Sequence, residues 1–210
     1  MAKKDFRRKS NIKPQNPRFL IVCEGAVTEI EYLEAVKRSR RIRSADIELI
    51  PPGPTSPLEI VTRARDLRDG SRHQDAFDAV WCIFDVEAKV LQKARPGLAS
   101  ALKMAKDNRI SIALSNPCVE LWILLHTEDH QSWICSDNVQ RRCLELALTN
   151  RKHLLDAEQL LRSYSSARER AMNLESKHDR EGRLAPEDRN PSTGVYELVD
   201  AIYESFPSRT

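Results

Sequence analysis

Phe19-Leu-Ile-Val-Cys-Glu-Gly25 and Ala79-Val-Trp-Cys-Ile-Phe-Asp-Val-Glu87 decide the fold. Each begins with an unbroken apolar run that has β-branched residues inside it and no polar alternation. A strand covered on both faces needs such a run. Each run stops at an acid: Glu24, followed at once by a glycine, and Asp85, followed two residues on by Glu87.

Around these two strands the chain alternates. Thr28 reads as a helix N-cap with Glu31 completing a capping box, and Ile30, Leu33 and either Tyr32 or Val36 form the apolar face of a helix over residues 28–37. Ile47–Ile50 is a second strand, halted by Pro51-Pro-Gly-Pro54. Ser56 caps the next helix, with Pro57 at its first position and Glu59 closing a box; it runs to about Arg68. A helix over residues 98–106, a fourth strand over 110–114 and a short apolar helix over 119–126 complete the series. The order β-α-β-α-β-α-β-α specifies an α/β fold, a mostly parallel four-stranded sheet of Rossmann-like kind flanked by helices.

After about residue 127 the pattern changes. Residues 137–148 and 152–174 read as amphipathic helices with no strand signal, residues 175–189 as a charged loop, and Asn190-Pro-Ser-Thr193 as the cap of a last helix over 194–206. The expected organisation is a flexible basic arm over residues 1–17, an α/β core over 18–130, and a helical C-terminal extension over 131–210 packed on the core.

Composition narrows the class. The chain has 210 residues, 40% of them hydrophobic, which is enough for one core. No apolar run approaches the roughly 20 residues that span a bilayer. No export signal is read, and the expectation is a cytoplasmic protein with no membrane partner. The five cysteines are odd in number and lack C-x-x-C spacing, which argues against a disulfide framework or a zinc ribbon. The net charge of +3 hides an asymmetry. Lys3, Lys4, Arg7, Arg8, Lys9, Lys13 and Arg18 stand against Asp5 alone, so residues 1–18 carry +6 and the remainder −3. Such an arm suits a phosphate backbone, though a solvated tail explains it as well.

In an open parallel sheet, functional groups gather beyond the carboxyl ends of the strands. Glu24, Asp85 and Glu87 then emerge at one edge, and Gly25 lets the backbone turn and a ligand approach. Clustered carboxylates repel one another, and a divalent cation between them relieves the repulsion. All-oxygen ligation favours Mg²⁺ or Mn²⁺. The competing reading is that strand-end acids, Glu29 and Glu31 above all, only serve the first turn of the next helix. Asn116 and Glu120 follow the fourth strand and fit the same edge. His126 shares a helix face with Val119 and Trp122; in the bland reading Asn116 caps the helix while Glu120 and His126 pair across it. His73, His130, His153 and His178 read as surface residues. Lys89, Lys93, Arg170 and Lys177 are candidates for phosphate contact. Asn190 and Ser192 either bring a helix N-terminus to a phosphate or simply cap it.

Four stretches, Val22-Cys-Glu-Gly-Ala-Val-Thr-Glu29, Phe84-Asp-Val-Glu87, Ser115-Asn-Pro-Cys-Val-Glu-Leu-Trp-Ile-Leu-Leu-His126 and Asn190-Pro-Ser-Thr-Gly-Val-Tyr196, together resemble the RloB family over about residues 17–205. The resemblance implies a Toprim-like core. There the strand-end glutamate acts as general acid or base and a D-x-D pair binds Mg²⁺. Glu24 matches the glutamate and Asp85 the first aspartate; Glu87 stands where the family more often has Asp. Family members are typically encoded beside an ATPase and linked to abortive infection, phage defence or restriction loci. The implied activity is that of a toxin-like nuclease, a hydrolase cleaving RNA (tRNA among the candidates) or DNA, with Glu24, Asp85, Glu87 and Glu120 as its catalytic acids and an ATPase as partner. Self-association into a homo-oligomer is compatible with it.

A second reading is a non-catalytic module that binds nucleic acid or regulates the ATPase on a degenerate version of the same fold. A small-molecule phosphohydrolase is disfavoured, because the chain has neither a D-x-D-x-T nucleophile motif nor a Gly-rich phosphate loop.

Overall fold

A computed structural model describes residues 16–207 except 52, 54, 55, 73, 74, 88–94 and 152. Four strands expected from the apolar runs are present: β1 (Phe19–Cys23), β2 (Ile47–Ile50), β3 (Ala79–Asp85) and β4 (Ser111–Asn116). All their pairings are parallel, β1 with β2, β1 with β3 and β3 with β4. Between and after them lie α1 (Thr28–Ser39), α2 (Pro57–Gly70), α3 (Leu98–Asp107) and α4 (Glu120–Leu125).

Alternate residues of each strand feed two cores. Phe19, Ile21, Cys23, Trp81 and Ile83 pack on the α1 and α4 side; Leu20, Val22, Val80, Cys82 and Phe84 pack on the α2 and α3 side. Phe84 is fully buried, a burial worth about 2 kcal/mol relative to exposure. All five cysteines are free.

The start of α2 follows its sequence signature. The Ser56 hydroxyl accepts from the Glu59 amide at 3.4 Å, and Glu59 Oε2 accepts from the Ser56 amide at 3.3 Å, with Pro57 in the first turn. The box expected at α1 is absent. Thr28 is its first helical residue, Val27 is the cap residue, and no side chain caps it. Glu31 instead turns outward, accepting from the Leu154 amide at 2.7 Å and bonding His153 Nδ1 at 2.7 Å.

The sheet has five strands rather than four, in the order β2-β1-β3-β4-β7. Ser192–Thr193 forms β7, antiparallel to β4, with Asn116 opposite Ser192 and Ser115 opposite Thr193. The region after residue 127 is therefore not purely helical. It contains α5 (Ser136–Glu145), a hairpin of β5 (Thr149–Asn150) and β6 (His153–Leu154), α6 (Ala157–Arg162), α7 (Tyr164–Arg180), a 3₁₀ turn at Pro186–Asp188, and α8 (Val195–Ser205). These strands are two residues long, too short to show a period-2 pattern.

The expected loop from residue 175 is in its first part the end of α7. That helix buries Ala167, Ala171, Leu174 and His178 at spacings of four, three and four. His178 is consequently not a surface residue; it is fully buried, and its Nε2 lies 2.8 Å from the Pro191 carbonyl. Among the described residues no helix is long and apolar enough to cross a membrane.

Candidate functional site

The strand order places a reversal between β1 and β3. From β1 the chain steps to β2 on one side and then to β3 on the other. The helices that leave β1 and β3 diverge there, opening a crevice beyond the carboxyl ends of these two strands. Glu24 and Asp85 are the residues at those ends.

Glu24 is held across the gap. Its amide donates to the Ile83 carbonyl at 2.9 Å, prolonging the β1–β3 ladder. Its side chain folds over the end of β3, so that Oε2 accepts from the Asp85 amide at 3.0 Å. Arg95 completes the arrangement. Its Nη1 donates to Glu24 Oε2 at 2.8 Å and its Nη2 to Glu24 Oε1, while Nη1 also donates to the Asp85 carbonyl at 2.6 Å. The two side chains are 18% and 10% exposed, so the ion pair is largely withdrawn from water.

Two more acids share the crevice. Glu29, in the first turn of α1, is buried, and its Oε1 accepts from the Gly25 amide at 2.8 Å. A Cβ at position 25 would run into the Glu29 carboxyl group, so any other residue there displaces Glu29 from the Gly25 amide. Burial raises the proton affinity of Glu29, and the Glu120 and Glu24 charges raise it further, against the opposing pull of the Gly25 amide. Glu120 opens α4 and is buried.

Asp85 feels all three. Its Oδ1 is sealed from solvent and has no hydrogen-bond partner. Its pKa is raised well above the ordinary carboxylate range, by burial first and then by Glu29, Glu120 and Glu24, with Arg95 opposing. Four carboxylates thus converge with one guanidinium. The donor set is hard oxygen throughout, and one buried oxygen lacks a partner, which fits Mg²⁺ or Mn²⁺ chemistry. The spacing is another matter: among the described residues no group of three or more His, Cys, Asp or Glu side chains is placed to hold a metal ion.

The remaining expected site residues are distributed as follows. Glu87 has left the strand at φ +52° and is exposed. Its charge reaches the crevice and strengthens Arg95's hold on its proton. Asn116 is buried and faces away from the acids, donating to the Pro186 carbonyl at 2.8 Å and accepting from Asn190 Nδ2 at 2.9 Å. Asn190 also bonds both the amide and the carbonyl of Ile134, each at 2.9 Å, so it ties loops together instead of capping α8. The cap residue of α8 is Gly194, the Thr193 hydroxyl accepts from the first helical amide, Val195, at 3.4 Å, and Ser192 belongs to β7.

His126 does not pair with Glu120. Its Nδ1 lies 2.8 Å from the Trp122 carbonyl, which can only accept; Nδ1 therefore carries the proton and Nε2 accepts from the Tyr32 hydroxyl at 3.1 Å. Arg170 and Lys177 are committed to the backbone carbonyls of Leu125 and Gln131. Lys3, Lys4, Arg7, Arg8, Lys9, Lys89 and Lys93 lie outside the described residues. Asn16, where the described chain begins, donates to Asp46 Oδ2 at 2.9 Å, at the sheet edge opposite Glu24.

Arg95 was not legible in the sequence, and Glu29 was legible only as a helix-turn acid. The signal that could have marked Glu29 is its place one turn past Gly25, where the helix start aims a first-turn side chain back at the strand end.

Comparison with known proteins gives one positive result. A family model described as RloB-like protein matches residues 19–202, most of the chain. No curated protein and no solved structure matches.

Proposed function

Because this chain belongs to the RloB-like protein family, we propose that it is a Mg²⁺- or Mn²⁺-dependent nuclease of Toprim type. Its substrate is RNA or DNA, and it acts in phage defence with an ATPase partner. The observation that carries the reading is the convergence of Glu24, Glu29, Asp85 and Glu120 on one crevice, with a sealed, unpartnered oxygen on Asp85. Gathering four acids around a single guanidinium is costly, because each charge raises the cost of the next.

No three of these acids have the spacing of a metal centre as they stand, so Glu24, Asp85 and Glu120 would have to shift before they could hold the ion. Bound there, a divalent ion supplies a Lewis acid for a phosphoryl oxygen and lowers the pKa of a bound water. The chain's own contribution is orientation and proton handling. The Asp85 amide fixes Glu24 Oε2 over the end of β3. Glu29, with its raised proton affinity, holds a proton on its carboxyl group at higher pH than a solvated glutamate does. The buried walls of α1 and α4 keep bulk water off the inner side of the acids.

The test is incubation of the purified chain with tRNA, plasmid and single-stranded DNA, with Mn²⁺ or with EDTA, beside Glu24→Ala and Asp85→Ala. Cleavage should require the metal and vanish in both variants. Equal cleavage by the variants, or full activity in EDTA, would remove the proposal.

A specific observation favours a second reading, the non-catalytic module. Arg95 occupies both oxygens of Glu24, and Glu87 is exposed. If millimolar Mn²⁺ leaves the melting temperature unchanged, the second reading prevails.

A further inference from the structure

We propose that the amino edge of the sheet carries a docking surface for the phosphate backbone of a nucleic acid, built around Arg38, Arg40, Arg41 and Arg162. The inference rests on the nucleic-acid substrate of the reading above, and it puts that substrate's anchor at the end of α1 away from the acids.

The first argument is where the positive charge lies. Residues 37–45 hold Lys37, Arg38, Arg40, Arg41 and Arg43 and no acid. Residues 1–15 hold Lys3, Lys4, Arg7, Arg8, Lys9 and Lys13 against Asp5. Each segment therefore carries +5, and with a net charge of +3 all other residues together carry −7. The fold brings the two segments to one place. Asn16, next after the first of them, donates to Asp46 Oδ2 at 2.9 Å, and Arg43 grips the same carboxylate at 2.8 and 2.6 Å. Phe19 pairs with Ile47, so this is the edge at which β1 and β2 begin. The 12 residues of α1 set it about 18 Å from the helix turn that supplies Glu29 to the acids.

The second argument is that part of this charge is unspent. Lys37, Arg38 and Arg43 are matched by Glu34, Glu158 and Asp46. Arg41 and Arg162 are exposed, and among the described residues neither guanidinium has a hydrogen bond or an ion pair. Arg41 stands at φ +54° just past the end of α1, a position that glycine fills most easily, so the turn itself does not call for arginine. Arg162, on α6, lines one open pocket of about 360 Å³ together with Arg38. The Arg40 guanidinium lies 3.9 Å from the centre of the Tyr203 ring on α8, which holds it in place. Three helices thus contribute to one basic surface.

The third argument concerns the occupant. A guanidinium fork meets two phosphate oxygens at once, and arginine outnumbers lysine here. An anionic lipid surface would call for apolar side chains to insert beside the charges. None of the large apolar side chains exposed among the described residues lines the pocket.

The experiment is fluorescence anisotropy of the purified chain with labelled single-stranded RNA, single-stranded DNA and duplex DNA over a salt series. EDTA is present throughout, so no metal-dependent step enters. The wild type should bind with a steep salt dependence. Arg41→Ala combined with Arg162→Ala should weaken binding about tenfold at low salt and flatten the slope of log affinity against log salt by about 1.5. Arg41→Lys combined with Arg162→Lys should recover most of the loss. Lys103→Ala combined with Lys106→Ala makes the same charge change at exposed positions of α3 and should bind as the wild type does. Wild-type affinity in the arginine-to-alanine variant, or an equal loss in the α3 control, would overturn the surface. So would a wild type that ignores every oligonucleotide while Arg41 and Arg162 draw it to phosphatidylserine vesicles, because the occupant would then be lipid. Binding as expected with no cleavage once Mn²⁺ is added would support this surface and count against the nuclease reading, so the two fail separately.

Discussion

Asn190 Nδ2 donates to Asn116 Oδ1 at 2.9 Å, joining the segment before β7 to the end of β4 inside the protein. The same Asn190 side chain satisfies both polar groups of the Ile134 backbone. Asn190→Ala strips partners from three buried polar groups at once. Unsatisfied buried groups cost about 1–3 kcal/mol each when nothing relaxes. We expect a loss of about 2–4 kcal/mol in denaturant unfolding, with metal-dependent cleavage lowered as well, because Asn116 lies one residue past the pair formed by Asp85 and Ser115. An unfolding midpoint unchanged from wild type would show that the loops do not depend on this side chain.

Asp85→Asn should stabilise the protein at neutral pH. The raised pKa of Asp85 means that the folded state favours the proton. Native stability therefore falls as pH rises through the interval between the ordinary carboxylate range and the raised value. The amide is neutral throughout and escapes this loss. Because the residue as a whole is partly exposed, the expected gain is about 1 kcal/mol, or roughly 2–4 °C in melting temperature for a chain of this size. The same change should abolish cleavage. A lower melting temperature for the variant at pH 7.5 would mean that the carboxylate is better compensated than its surroundings suggest.

His126 supplies a stability loss on mild acidification. Burial lowers its pKa from 6.5 to about 4, so the unfolded chain takes up a proton near pH 6.5 while the native state resists. Its contribution is complete above about pH 6.5 and is lost as pH falls towards 4, by about 3 kcal/mol in all. His126→Gln should flatten the curve, so that the stability difference between pH 7 and pH 4.5 shrinks by about 2–3 kcal/mol. A variant whose pH profile overlays that of the wild type would place the acid sensitivity elsewhere.

The parallel sheet was legible because Phe19–Cys23 and Ala79–Phe84 are apolar without interruption, which only burial on both faces explains. Where the strands end was legible for the same reason, and that located Glu24 and Asp85. The partner that links them was not. Arg95 lies ten residues beyond Asp85 in a stretch with no periodicity, and nothing local announces a long-range ion pair. Glu29 looked like a first-turn acid because it is one; its membership of the cluster depends on where α1 starts relative to β1. His178 was hidden by alanines: Ala167 and Ala171 make a buried stripe that barely registers as apolar. The hairpin and β7 are held by pairing with distant segments, and two residues cannot advertise that.

The short antiparallel strand at Ser192–Thr193 also bears on the order in which the molecule can be completed. The four parallel strands have all been translated by Asn116, yet the outer side of β4 has no neighbour until Thr193 emerges from the ribosome. At typical elongation rates that delay is roughly 4–15 s. Throughout it a growing chain presents a bare strand margin able to pair with other polypeptides. It also lacks the late segment that steadies Asn116 at the end of β4. A nascent chain is thus sticky until then, and the C-terminal third sets the moment at which the sheet becomes complete.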